Sequence, residues 1–561
     1  MCIRDRSLAL LYERLGNSKK AIEQLKAVLA LDPYDADARE RLLRHLVARG
    51  ELAAAAAQLL ELQNRAGATS PPFLRCRALI NLLRTRNEDG YRQELAEIVK
   101  RHPTDVRARE EYAGALISGK KYAAAAEEVA EVLRLDPDAL RSLEWLALIQ
   151  VRRLDYEGAV ATLKDMLRRH PNRENWIRSL GEVELFRLEY DRAAAAFSRL
   201  IELPSAKAAR DAYRGQLLTV YQMAGQVDRM RSLAEAWLSE TPEDPASRAM
   251  VLAADEAAKD FASMARRCRA WLADDRKDGA RWRPYLIRAL KGLKRLTEAQ
   301  RQTLAWLNDD PDDYAVVRLL GDVLIASGRP EDAIEWIRNA MATADASATQ
   351  GLLEHLRDAQ LAAKDYDAAI RTVKTLLRNQ PDPGLDLLIA NILIQAGRYA
   401  EAEDQLNAMI GRAESDFLKA RFLRTLAYCY QRQKRHDMAE NRLREALQLS
   451  PGDAGINNDL AYTWADAGKH LDEAERMLRF AVGEDPREAA YLDSLGWLYY
   501  KKGRFAEAVR WLRCSAAQLD GRDPLIRDHL GDAYWRAKCP AEARRCWEEA
   551  LELASERDGT A

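Results

Sequence analysis

Three sets of polar and aromatic side chains recur near the C-terminal end of this 561-residue chain. Asn458 and Tyr462 form the first set, Asp493, Trp497 and Tyr500 the second, and Asp528, Asp532 and Trp535 the third. Within each set the members are three or four residues apart, a spacing that on a helix turns side chains to one side. From Asn458 to Asp493 and from Asp493 to Asp528 the interval is 35 residues. Amides and carboxylates so placed can bond the backbone or basic side chains of an extended peptide, while rings bury its apolar side chains. A plainer use is open to the same residues. Asp and Asn cap helices or bond a neighbouring element, and rings fill the packing between elements.

Catalytic chemistry is hard to assemble from the rest. Gly114-Ala115-Leu116-Ile117-Ser118-Gly119-Lys120-Lys121 approaches a phosphate-binding loop. Such a loop needs Ser or Thr after its lysine and must join a strand to a helix, and here Lys121 takes that place. The seven histidines, His45, His102, His170, His355, His436, His470 and His529, show no metal-ligand spacing. No nucleophile elbow or dinucleotide fingerprint occurs. Seven cysteines include no Cys-x-x-Cys, and Cys539 and Cys546 are the closest pair. They read as small apolar fillers. Basic runs such as Arg266-Arg267 and Arg544-Arg545 lie among acids as solvated helix faces. No catalytic residue, metal or cofactor is expected.

The elements that position the three sets follow from a repeat. Leu495-Gly496-Trp497-Leu498-Tyr499 leads to Gly503-Arg504-Phe505-Ala506-Glu507-Ala508 and Leu512, and looser copies begin at Leu180-Gly181, Leu320-Gly321 and Leu530-Gly531. A motif returning about every 34 residues marks a stacked array of helical hairpins. Prolines that stop helices give the ruler: Pro33, Pro103, Pro137, Pro171, Pro204, Pro242, Pro311, Pro381, Pro451 and Pro486. Small residues at Ala21, Ala125, Ala159, Ala333, Ala369, Ala402 and Ala508 allow the second helix of each hairpin to cross the first closely. Tyr91 stands where the third copy should carry alanine. Trp237, Trp271 and Trp306 recur late in the second helix of three successive copies, a position expected to pack between hairpins. The fold class predicted is all-α, an α-solenoid of about sixteen hairpins wound as a right-handed superhelix.

These small, aromatic and proline positions resemble the tetratricopeptide repeat over nearly the whole chain. The block 457–551 is also similar to the C-terminal block of a group of bacterial tetratricopeptide proteins. That group includes envelope lipoproteins that act as adaptors, some of them delivering substrates to proteases. The resemblance implies a non-enzymatic scaffold or adaptor that holds a partner segment against the concave wall formed by the first helices. The partner would be a protein or peptide. Eighty-seven basic residues balance eighty-eight acidic ones, so no overall field favours nucleic acid.

Four segments are expected. Residues 1–6 read as non-native sequence where a helix should already be running, which implies that a true N-terminus is missing. Residues 7–340 form one array, 341–350 a hinge or loop poor in large apolar side chains, and 351–561 a second array. No run of apolar residues is long enough to span a membrane. A leader upstream would imply a periplasmic or lipid-anchored protein, and its absence a cytoplasmic one. Two alternatives stay open: the regulatory part of an enzyme whose catalytic domain lies outside this sequence, and a cytoplasmic assembly scaffold. The last copy ends at Ala550–Ala554 without an obvious polar capping helix, so self-association through that end is a further expectation.

Overall fold

A computed structural model describes residues 2–274, 279–518 and 523–558. Met1 of the 1–6 segment lies outside the described residues, and the first helix runs Cys2–Arg14. Thirty-two α-helices pair in order as sixteen hairpins, each with a first helix A and a second helix B, and no strand occurs among the described residues. The chain is an all-α solenoid, as the repeat predicted.

Two local devices set the period. Between hairpins, an aspartate commonly restarts the helix. After Ser18–Leu31 ends, Asp35 accepts the N–H of Ala38 at 3.0 Å and opens Ala36–Ala48. This satisfies a donor that a helix start leaves unpaired. Within hairpins, every A–B turn places one residue at a matching position in the left-handed region, with φ between 54° and 76°, and the fourteenth turn adds His470 at 49°. Seven of these sixteen are glycine, from Gly16 to Gly503. The other nine are Lys, Leu or Arg, including Lys120, Leu154, Leu188, Lys434 and Lys538. The phosphate-loop look-alike is one of these turns. Lys120 joins helix Val106–Ser118 to helix Tyr122–Leu135, with no strand before it.

The crossing alanines Ala21, Ala125, Ala159, Ala333, Ala369, Ala402 and Ala508 are fully buried. Gly496 shows why the facing position is small. A Cβ there would lie 2.6 Å from Leu512 Cγ and 3.1 Å from the Leu512 backbone nitrogen. The tryptophans are packing residues. Trp237 and Trp306 are buried, Trp271 lies 5.1 Å from Trp282, and Arg214, Arg248 and Arg283 each sit about 5 Å over one of the three rings.

The array divides into two compact units, Met1–Pro171 with hairpins 1–5 and Asn172–Ala561 with hairpins 6–16. In the 341–350 segment, one helix ends at Met341 and Asp345 caps the next at Ala346.

The first unit carries a buried ionic network across three successive A helices, Ala36–Ala48, Pro71–Thr85 and Val106–Ser118. Arg75, 3% exposed, donates to both oxygens of Glu40, 1% exposed, at 3.1 and 2.6 Å. Arg75 also bonds Asp105, and Arg44 bridges Glu40 and Glu111. Burial works against the Arg75 charge, but the surrounding carboxylates outweigh it and raise its pKa. Burial pushes the neighbouring Cys76 thiol up to about 12.

In the second unit the last two hairpins meet the early ones. Arg487 pairs with Glu182 at 3.6 Å, Lys259 with Glu552 at 3.9 Å, and the Cys514 thiol faces the Phe186 carbonyl at 3.9 Å. Part of the C-terminal end is therefore faced by the chain's own hairpins 6–8. The final helix, Pro540–Asp558, is longer than the other B helices.

Candidate functional site

Five successive A helices, Pro383–Gln395, Asp416–Arg432, Ala454–Asp466, Ala489–Lys501 and Pro524–Arg536, line up as hairpins 12–16. Their inward sides border two adjoining depressions that share Gln431 and Asp459. Together these make one groove. Leu387 and Leu388 lie at one end, and Leu525 and Ile526 at the other.

Of the residues singled out in the sequence, Asn458, Tyr462 and Asp493 line this groove. Asn458 is 7% exposed, and its Nδ2 donates to Asp459 Oδ1 at 3.2 Å. Its Oδ1 is buried and accepts no hydrogen bond. An ionised carboxylate only accepts, so the contact with Asp459 fixes which way the amide points. Tyr462 is half-buried. Burial first, then the negative charges of Asp466 and Asp493, push its hydroxyl up to about 12. Asp493, 6% exposed, accepts from His529 Nδ1 with both oxygens at 3.0 Å.

The remaining predicted residues gather beside the groove. Trp497 stacks on Tyr500 at 4.8 Å and on His529 at 4.1 Å, and its Nε1 donates to Asp466 at 3.2 Å. Tyr500 meets Phe505 edge-on at 5.7 Å. These rings join hairpins 14, 15 and 16. Asp528 is exposed on the sixteenth A helix. Asp532 is half-buried, and its pKa is raised by burial and then by Asp528. Trp535 is 57% exposed and lies 6.1 Å from Trp547. None of these five lines the groove between hairpins 12 and 16.

Sequence reasoning missed Arg424, Tyr428 and Gln431. The signal was the count from the A–B turn. Arg424, Asn458, Asp493 and Asp528 each stand ten residues before the left-handed residue of their hairpin, at Lys434, Gly468, Gly503 and Lys538. Tyr428, Tyr462, Trp497 and Asp532 stand six before it, and Gln431, Tyr500 and Trp535 three before it. The thirteenth hairpin belongs to the same series, but its turn residue is a lysine.

No group of His, Cys, Asp or Glu that could hold a metal ion occurs among the described residues. No described helix is long and apolar enough to cross a membrane.

Family models of the tetratricopeptide repeat match residues 6–71, 92–139, 120–174, 286–348, 358–417 and 458–521, and a second model of that repeat matches 420–453. No curated protein is similar enough to match. Among solved structures, Naa15/Naa10 bound to HypK-THB is 12% identical, with 98% of this chain and 97% of that chain covered and a TM-score of 0.33. Yeast Tom70 is 15% identical, with 80% and 92% covered and a TM-score of 0.35. A tetratricopeptide repeat protein from Parabacteroides merdae is 16% identical, with 43% and 93% covered and a TM-score of 0.31.

Proposed function

The chain belongs to the tetratricopeptide repeat family, and on that footing we propose that it is a non-enzymatic adaptor gripping an extended segment of a partner protein in the groove of hairpins 12–16. The observation that carries this reading is the groove itself, lined from hairpin 12 to hairpin 16 by both apolar and hydrogen-bonding side chains. That mixture suits an extended peptide. Tyr462 and Leu525 offer apolar surface, while Gln431 and Asp493 offer further hydrogen bonds. A place in bacterial envelope assembly or proteolysis rests on the resemblance of block 457–551 alone.

Site-specific photo-crosslinking tests the groove. A benzophenone amino acid replaces Leu525, exposed at the groove, or Arg544, exposed on the last B helix. Irradiation in a bacterial lysate should yield a polypeptide adduct from position 525 that position 544 does not give. That adduct should fade with Tyr462→Ala. The same adduct from both positions, or indifference to Tyr462→Ala, would refute the groove. Recovery of the adduct from the envelope fraction would support the envelope assignment, and recovery from the cytosol would exclude it.

A further inference from the structure

Where the last two hairpins meet hairpins 6 and 7, they leave a cavity of about 680 Å³, a size that holds small ligands. It shares no lining residue with the groove of hairpins 12–16. Tyr190 lines one side, at the start of helix Tyr190–Glu202 in hairpin 6. On the other side stand Arg513, from helix Phe505–Ala516 of hairpin 15, and Tyr534 and Arg545, from the two helices of hairpin 16.

The charges on these walls do not balance. Arg513, Arg527 and Arg545 share the cavity with one carboxylate, Glu549. Arg527 Nε already lies 3.4 Å from Glu549, and its Nη2 donates to the Ala516 carbonyl at 3.1 Å. Arg513 and Arg545 are exposed, and their guanidiniums make no hydrogen bond or ion pair among the described residues. The hydroxyls of Tyr190 and Tyr534 make none either. Burial raises the pKa of both phenols, so both remain O–H donors at neutral pH. The Arg513 charge opposes that rise at both rings and the Arg545 charge opposes it at Tyr534, so these groups lie within electrostatic reach of one another. The cavity thus offers two uncommitted cations and two uncommitted hydroxyls, while its carboxylate is engaged.

We infer that this cavity binds a small organic polyanion through phosphate or carboxylate oxygens. The guanidinium forks of Arg513 and Arg545 match such oxygens, and the phenols of Tyr190 and Tyr534 donate to those that remain. Tyr190 belongs to hairpin 6 and the other three to hairpins 15 and 16, so the bound anion ties the two sides together. A ligand that needs both sides stabilises their contact by mass action.

The test is isothermal titration calorimetry of the full chain with pyrophosphate and, separately, with citrate at matched ionic strength. At least one should bind saturably with one site per chain, and the tighter of the two tells phosphate from carboxylate. Arg513→Gln with Arg545→Gln should weaken it at least about tenfold, and Tyr190→Phe, which deletes one hydroxyl from the opposite side, about fivefold. Arg544→Gln, on an arginine outside the cavity that pairs with Glu548, should change nothing. At saturation, hydrogen exchange should slow in both Tyr190–Glu202 and Phe505–Ala516, and in neither for the double variant. No saturable binding of either anion would overturn the site, as would equal weakening by Arg544→Gln, the mark of adsorption to surface charge. Protection confined to hairpins 15 and 16, with Tyr190→Phe without effect, would overturn the tie across the two sides.

Discussion

Replacing Arg75 by methionine should cost the first unit about 3 kcal/mol, at the low end of the range for breaking a buried ion pair. Methionine keeps much of the side-chain length, so the loss is chiefly electrostatic. Glu40 then keeps the Arg44 contact at 3.0 Å on Oε1 but loses the hydrogen bond to Oε2. Arg107, 3.6 Å from that oxygen, is too far to replace it. Asp105 fares better, because the backbone N–H groups of Arg107 and Ala108 still cap it. Removing both charges, with Arg75→Met and Glu40→Leu together, should cost only about 1 kcal/mol, since Arg44 retains Glu111. The difference of about 2 kcal/mol between the single and the double variant is the cost of leaving the Glu40 carboxylate buried and short of a partner. A repeat array does not unfold in one step, so the readout is hydrogen exchange in helices Ala36–Ala48 and Pro71–Thr85. The single substitution should speed exchange there by roughly a hundredfold, and the double by under about tenfold. Acceleration of less than about fivefold in the single variant, the worth of an exposed pair, would refute the argument that Arg75 offsets the buried Glu40 charge.

The same glycine-to-alanine change should have opposite signs at two sites. Gly215→Ala meets nothing within 4 Å and should gain up to about 1 kcal/mol of helix propensity. Gly496→Ala strikes the Leu512 backbone and should lose about 1 kcal/mol net, as overpacking outweighs that gain; exchange in Phe505–Ala516 reads it, and a gain at both sites would refute the crossing argument. Burial pushes the thiols of Cys76 and Cys268 up to about 12 and that of Cys514 up to about 11. Unfolded thiols ionise near 9 while these stay protonated, so their contribution to stability should be constant below pH 9 and fall as pH rises from 9 to about 12. Alanine at all three should shrink that fall in melting temperature, and an unchanged fall would exclude the thiols as its cause. Cysteines at Glu182 and Arg487 should be joined within one molecule by a short bismaleimide, as mass spectrometry of the monomer would show; no intramolecular product would refute the contact between hairpins 6 and 15.

The repeat could be read because its period is written in helix stoppers and crossing alanines, residues whose effect is local. The sixteen turns were harder to see. A left-handed residue is expected to be glycine, yet at nine turns the chain uses a long side chain and accepts about 1–2 kcal/mol of strain. Counting from those turns would have placed Arg424 and Tyr428 beside Asn458 and Tyr462. The site was half legible for a related reason. Position on a helix face follows from spacing, but burial and pairing depend on the next hairpin. His529 closes over Asp493 and Trp497 from 36 and 32 residues away, which turns residues chosen for exposure into the joint between hairpins 15 and 16. Likewise, the orphan state of Asn458 Oδ1 depends on Asp459 turning the amide, which spacing alone does not encode.

The contacts from hairpins 6–8 to hairpins 15–16 also change how the second unit answers to force. An open stack of hairpins stretches as a spring, with every interface adding its compliance in series. Arg487–Glu182, Lys259–Glu552 and the Cys514–Phe186 contact act as a strut laid in parallel across that series. While the strut holds, these contacts and the side chains around them share a pull on the ends, and the coils between them lengthen little. Once it parts, the load passes to the whole spring at once. A surface salt bridge contributes about 0–1 kcal/mol, so the parting force is set by the weakest chemistry in the molecule and should fall with added salt. The second unit should therefore give way at a force that falls as salt is added, which stretching a single molecule at two salt concentrations would check.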